Sequence, residues 1–207
     1  MEPESIYEED MIEPDSISLT EEERAYRKHI DRCALEALDL PIKNSRASHA
    51  CYLMTKMFSL ASKHVYLYTG KLVRRVGDDD VYASKELLAA VRSFLKRSGN
   101  PKLQIVVQGE VDGGTADHPL VLEVEKLFNE EELKGRLEIR KAADGSADIS
   151  SHFMVMDMSA YRIELEPEPS CAAVANFGDA KCAKMVGKYF ETNLFPSAES
   201  IYKIEAA

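Results

Sequence analysis

The sequence predicts one α/β domain in which a mixed β-sheet is sandwiched by helices. Two observations carry this. Three short runs of strand character, the apolar His64–Tyr68 and Leu103–Val107 and the third, Leu137–Arg140, alternate with stretches of helical periodicity, the pattern of strands joined by crossover helices. After them come two closely spaced runs, Phe153–Met158 and Tyr161–Leu165, separated only by Ser159-Ala160, which reads as an antiparallel hairpin. The 207 residues are ample for one domain with a sizeable core.

The elements follow in order. Thr20-Glu-Glu-Glu23 has the form of a capping box, with acids suited to the helix dipole. The helix it opens is expected to run to about Asp39, with Pro41 as the stop. A second helix spans about Arg46–Ser62, with Ala50, Leu53, Met54, Met57, Phe58 and Ala61 along one stripe. Strand His64–Tyr68 leads into a charged loop, Thr69–Tyr82. Ser84 caps a helix ending at about Arg97, before Gly99-Asn-Pro101. Strand Leu103–Val107 is followed by a Gly-rich loop, a helix capped by Asp117, and strand Leu137–Arg140. Beyond the hairpin, Cys171–Phe177 reads as a small-residue strand, and Asp179 caps a last helix. The expected organisation is an acidic tail over 1–23, a helix over 24–40, the α/β domain over 45–197, and a C-terminal tail over 198–207.

Charge is unevenly placed. Residues 1–23 hold ten acids and no Lys or Arg, while the remainder balances 26 acids against 26 Lys and Arg, for a net charge of -10. Such a block is usual in interaction or solubility tails. Ile6, Tyr7, Met11 and Ile12 are apolar points within the acid, which favour docking to a partner protein over solubility alone. The neutral body lacks the basic footprint of strong nucleic-acid binding. No apolar run approaches membrane-span length. The acidic N-terminus is unlike a secretory signal, and four cysteines without CxxC spacing do not form a disulfide framework. A cytoplasmic protein with reduced thiols is expected. Five scattered histidines offer no metal-ligand spacing, Gly109–Gly114 is not followed by the Lys of a phosphate-binding loop, and no cofactor is implied. Lys71, Arg74 and Arg75 form the one compact basic cluster, a candidate phosphate or nucleic-acid contact, although Asp78-Asp-Asp80 follows at once and offsets it.

Several strings, in order, resemble the phospholipase D-like superfamily, and in particular small bacterial proteins that hold one degenerate copy of that domain. They are His64-Val-Tyr-Leu-Tyr-Thr-Gly-Lys-Leu72, Leu103–Gln108, His118-Pro-Leu120, Leu137–Arg140, His152-Phe-Met-Val-Met-Asp157, Ala175-Asn-Phe177 and Phe190–Ser197. The resemblance covers about residues 48 to 197. It implies a His-x-Lys-x4-Asp motif with a following Asn, in which one His attacks phosphorus, another protonates the leaving oxygen, and Lys and Asn hold the phosphate. It also implies a homodimer, since the chemistry needs two motifs. Here the motif is broken in either register. With Asp157 as the motif Asp, His152 takes the Lys position and Ser150 the His position. With His152 as the motif His, Met154 replaces the Lys and Ser159 the Asp. His152 is thus either a retained phosphate-handling residue or a strand-start histidine bonded within the fold, Asp157 a motif acid or a turn-former, and Asn176 the candidate motif Asn. The expectation is a degenerate, non-catalytic domain that serves as a binding or assembly module. The alternative is a homodimeric, metal-independent phosphodiesterase or nuclease using His152.

Overall fold

The computed structural model describes residues 19–70, 72, 80–108, 116–143, 151–165 and 172–206. One eight-stranded sheet runs through them, in the order β1-β7-β6-β5-β2-β3-β4-β8. The strands are β1 (Ile42–Asn44), β2 (His64–Thr69), β3 (Lys102–Val107), β4 (Arg136–Lys141), β5 (Phe153–Met156), β6 (Ala160–Glu164), β7 (Ala173–Asn176) and β8 (Glu199–Glu205). Three adjacent strands, β2, β3 and β4, are parallel, and every other pairing is antiparallel.

Alternation along the strands divides the core in two. Leu67, Ile105 and Ile139 face a layer of helices: α2 (Ala47–Leu60), α3 (Lys85–Leu95) and α4 (Pro119–Asn129), which bury Leu53, Met57, Phe58, Val91, Phe94, Val124 and Leu127. The helix α1 (Glu21–Leu35) lies on the same side and contributes Ile30 and Cys33. The neighbouring residues Tyr66, Tyr68, Val106, Phe153 and Val155 point the other way, onto α5 (Ala180–Tyr189) and the π-turn Phe190–Leu194. Phe190 stacks on Tyr66 with ring centroids 4.8 Å apart. The molecule is therefore a mixed sheet sandwiched by helices.

Several local outcomes differ from the sequence reading. Thr20 Oγ1 does accept the N–H of Glu23 at 3.1 Å, but the Glu23 carboxylate turns to Arg27 and His49 rather than back to the cap. Glu21, Glu22 and Glu23 are thus the first turn of α1, not tail. That helix stops at Leu35, six residues before Pro41, and Ala37 just beyond it sits at a φ of 48°. The cap of α4 is His118, whose Nδ1 accepts the N–H of Leu120 at 3.1 Å, in place of Asp117. Residues 199–205, expected within a C-terminal tail, form β8 and close the edge of β4, with Tyr202 and Ile204 packed on the larger core. The strand was missed because both its faces carry polar residues. The short β1 was missed because three residues offer no periodicity.

Candidate functional site

At the carboxyl end of β2 and β3, four strands bring their termini to one line. β5 starts there and β6 ends there, so residues distant in sequence share one row. Glu164 at the end of β6 donates its backbone N–H to the carbonyl of His152 at 2.8 Å. The same two residues meet through their side chains: His152 Nδ1 is 2.8 Å from Glu164 Oε2. The other ring nitrogen, Nε2, is 3.1 Å from Gln108 Oε1 at the end of β3. Gln108 Nε2 donates to the Tyr68 hydroxyl at 2.6 Å, and Arg162 Nη1 donates to Glu164 Oε1 at 3.0 Å. Arg162, Glu164, His152, Gln108 and Tyr68 are thus a continuous polar chain across β6, β5, β2 and β3.

Burial works to raise the Glu164 carboxyl, but its bonds to His152 and Arg162 outweigh it and hold the group below its ordinary range. Burial pushes the Tyr68 phenol up, against the Gln108 hydrogen bond. Gly70 matters here for a close approach: a Cβ would lie 3.1 Å from His152 Cε1 and 3.2 Å from Nε2. A glycine lets the imidazole lie against the chain as it leaves β2. A carboxylate on Nδ1 is the arrangement that orients a histidine for nucleophilic or acid–base work through Nε2. In this fold Nε2 faces a side-chain amide of the same network.

Asp157 is elsewhere. It lies in the β5–β6 turn, at the amino end of β2, with φ of 49° followed by Met158 at 55°. Its carboxylate accepts Ser62 N at 2.7 Å, Ser62 Oγ at 2.8 Å, Lys63 N at 2.9 Å and His64 N at 2.8 Å. Burial opposes ionisation, but these donors outweigh it and the carboxyl titrates below its usual value. Four strand residues separate Asp157 from His152, about 16 Å at ~3.3 Å per residue.

Asn176 is also at that far end, since it pairs with Tyr161 while His152 is level with Glu164. It is buried, its Oδ1 accepts the N–H groups of Gly178 and Asp179 at 2.8 and 2.9 Å, and its Nδ2 donates to Asp39 at 2.8 Å. The expected grouping of His152, Asp157 and Asn176 is therefore not assembled. Asn176 caps the approach to α5, an Asx role that its position before Gly178-Asp179 permits. Lys71, Arg74, Arg75, Ser150 and the apolar tail residues Ile6, Tyr7, Met11 and Ile12 lie outside the described residues.

Glu164, Gln108, Arg162 and Tyr68 were not singled out from the sequence. The signal for two of them was present: Arg162 and Glu164 are charges two apart on one face of a strand, opposite a histidine across a hairpin. The turn at 157–159 pairs Met156 with Ala160, and so brings 152 opposite 164. Placing the turn at Ser159-Ala160 instead hides this pairing. Among the described residues no group of three His, Cys, Asp or Glu is arranged to hold a metal ion. No helix among them is long and apolar enough to cross a membrane.

A solved structure of a phospholipase D family member, Nuc from Salmonella typhimurium, superposes on 78% of this chain and 99% of its own, with a TM-score of 0.52 and 11% identity. The class defined by the architecture is accordingly the phospholipase D-like fold. NucT from Helicobacter pylori covers 78% of this chain and 99% of its own at TM-score 0.49 and 9% identity. Phosphatidylserine synthase from Haemophilus influenzae covers 78% of this chain and 39% of its own at TM-score 0.45 and 14% identity. At such identities the likeness is one of fold. No protein-family model matches the sequence, and no curated protein is similar to it.

Proposed function

We propose that this chain is a non-catalytic phospholipase D-like domain that acts as a protein-binding or assembly module, self-paired as a homodimer, with its acidic N-terminal tail as the docking segment. The observation that supports this reading is the separation of the motif residues. Asp157 spends its carboxylate on the backbone of Ser62–His64, Asn176 on the entry to α5, and only His152 remains at the carboxyl edge of the sheet. There both of its ring nitrogens face side chains of the same chain. Localised negative charge with apolar points at 6, 7, 11 and 12 supports the tail as the contact.

One observation favours a second reading. A carboxylate 2.8 Å from Nδ1 is how a nucleophilic imidazole is held, so a homodimeric phosphodiesterase or nuclease acting through His152 Nε2 is the competing function. A single experiment separates the two. Wild type and His152→Ala are assayed on a chromogenic phosphodiester and on DNA, with and without chelator. A folded wild type with no activity above the blank is the expected result. Chelator-resistant turnover that disappears in His152→Ala overturns the module and establishes the enzyme.

A further inference from the structure

The exposed side of α5 is basic and apolar together. Lys181, Lys184, Met185, Lys188 and Tyr189 are exposed, with Met185 66% accessible. Their spacing puts them in one stripe, opposite the buried Ala183, Gly187 and Phe190. The helix holds no acid, and the next one, Glu191, is engaged by the Tyr66 hydroxyl. Lysines in ion pairs among the described residues are Lys56, Lys96 and Lys203, so the three on α5 have no carboxylate partner there.

Residues 1–18 have the complementary character. They carry Glu2, Glu4, Glu8, Glu9, Asp10, Glu13 and Asp15 without a single Lys or Arg, and intersperse Ile6, Tyr7, Met11 and Ile12. Their attachment suits a contact within one chain. The first turn of α1 is held near β1 and α2 by Glu22–Arg46 and Glu23–His49, at the sheet edge where His152 lies. Tyr189 ends α5 one residue before Phe190, whose ring centroid lies 6.3 Å from that of Phe153, the residue after His152. Two helix–sheet spacings separate the faces, roughly 20 Å, whereas 18 residues reach up to about 60 Å.

We propose that residues 1–18 dock in cis on the Lys181–Tyr189 face of α5. The acids meet Lys181, Lys184 and Lys188, and the apolar points cover Met185 and Tyr189. This rests on the reading of the tail as a docking segment, and gives it a seat on its own body from which a partner must displace it.

The test is zero-length carbodiimide cross-linking of the full chain, prepared as an equal mixture of unlabelled and 15N-labelled protein and analysed by mass spectrometry. Expected are links from Glu8–Asp15 to Lys181, Lys184 and Lys188, each within one isotopic species. They should fall about tenfold between low salt and roughly 0.5 M, where screening shortens to a few ångströms. They should also weaken in the exposed double variant Met185→Ser/Tyr189→Ser, which checks the apolar half without removing a lysine. Links spread over lysines of other faces, such as Lys28, Lys56 and Lys126, or no links at all, overturn the proposal. Links of mixed isotope overturn it in favour of a second copy as the occupant. Tail-dependent capture of a partner without the cross-links sinks the seat alone. Cross-links that form while no partner requires the tail sink the docking reading instead.

Discussion

The carboxylate of Asp157 accepts the backbone N–H of His64 at 2.8 Å across 93 residues of sequence, and so ties the β5–β6 turn to the first residue of β2. With Ser62 and Lys63 on the same carboxylate, three successive backbone donors are satisfied where β2 begins. Asp157→Ala is expected to cost about 2–4 kcal/mol, because hydrogen bonds to a charged group are each worth ~1.5–3 kcal/mol and part of the loss is recovered by water. The sign with pH follows from the depressed carboxyl: burial raises it, but the backbone and Ser62 donors win. Its contribution is complete above the unfolded value, near 4, and fades as pH falls through the lower folded value. Denaturant midpoints at pH 7 and pH 3 should differ more for wild type than for Asp157→Ala.

Asn176 should behave as a structural residue of the other end. Asn176→Ala removes the acceptor for Gly178 and Asp179 and leaves Asp39 without its amide donor. A loss of about 1–3 kcal/mol is expected. Any phosphodiester turnover found in the wild type should be unchanged per folded molecule. A selective loss of turnover with stability intact would return Asn176 to the site.

Much of the fold was legible because its period is clean. The stripe Leu53, Met54, Met57, Phe58 and the runs at β2 and β3 place themselves, since each is buried on the face its spacing indicates. The candidate site was less so. Its members meet through strand register, and register depends on where a turn falls by a single residue. An Asp tolerates the positive φ that Asp157 adopts, but Met158 adopts it without glycine, so the pair lacks the Gly signal that fixes where a hairpin turns. Glu199–Glu205 was illegible for a different reason: an edge strand needs only one partner, and exposed charges at Glu199 and Lys203 mask its alternation.

His118 predicts a second pH effect of the same sign. It is fully buried, its Nδ1 accepts from Leu120, and Nε2, 3.2 Å from Asp80, carries the proton. Burial lowers its pKa, and Asp80 only partly offsets this. A depressed histidine adds stability that is complete above the unfolded value of about 6.5 and is lost as pH falls toward the folded value. His118→Asn keeps a capping side chain and removes the titration. Its urea midpoint should fall less than that of wild type between pH 7.5 and 5.5, with the remaining fall due to His64, which burial also depresses.

Gly178 and Gly187 should respond differently to alanine. A Cβ on Gly178 would lie 2.3 Å from the carbonyl oxygen of Ala37 and 2.4 Å from the amide nitrogen of Asp39, both backbone. The α1 exit must move, which also breaks the Asn176–Asp39 bond, and about 2–4 kcal/mol is expected. At Gly187 the obstacle is the end of the Met158 side chain, at 2.1 Å from Sδ. Methionine can rotate away, so the cost should be nearer 1 kcal/mol. Equal costs in thermal unfolding would contradict this packing.

The His152–Glu164 pair offers a measurement that serves both functional readings. His152→Ala leaves Glu164 with Arg162, whereas Glu164→Ala leaves a buried Arg162 with its Nε already unpartnered among the described residues. Glu164→Ala should therefore be the more destabilising, by about 2–4 kcal/mol against about 1 kcal/mol, since an uncompensated buried charge is the costlier remnant. The double variant should show a coupling of about 1 kcal/mol, because the bond is charge-assisted and already lost in either single variant. Gly70→Ala tests the same contact from the other side: its Cβ would press on the imidazole and is expected to reproduce part of the His152→Ala loss. If the chain is a module, these variants change stability and nothing else. If it is an enzyme, Glu164→Gln should lower kcat more than it lowers the unfolding midpoint, because the amide no longer fixes the Nδ1 proton. Stopped-assay rates set beside denaturant curves for the same samples distinguish the two.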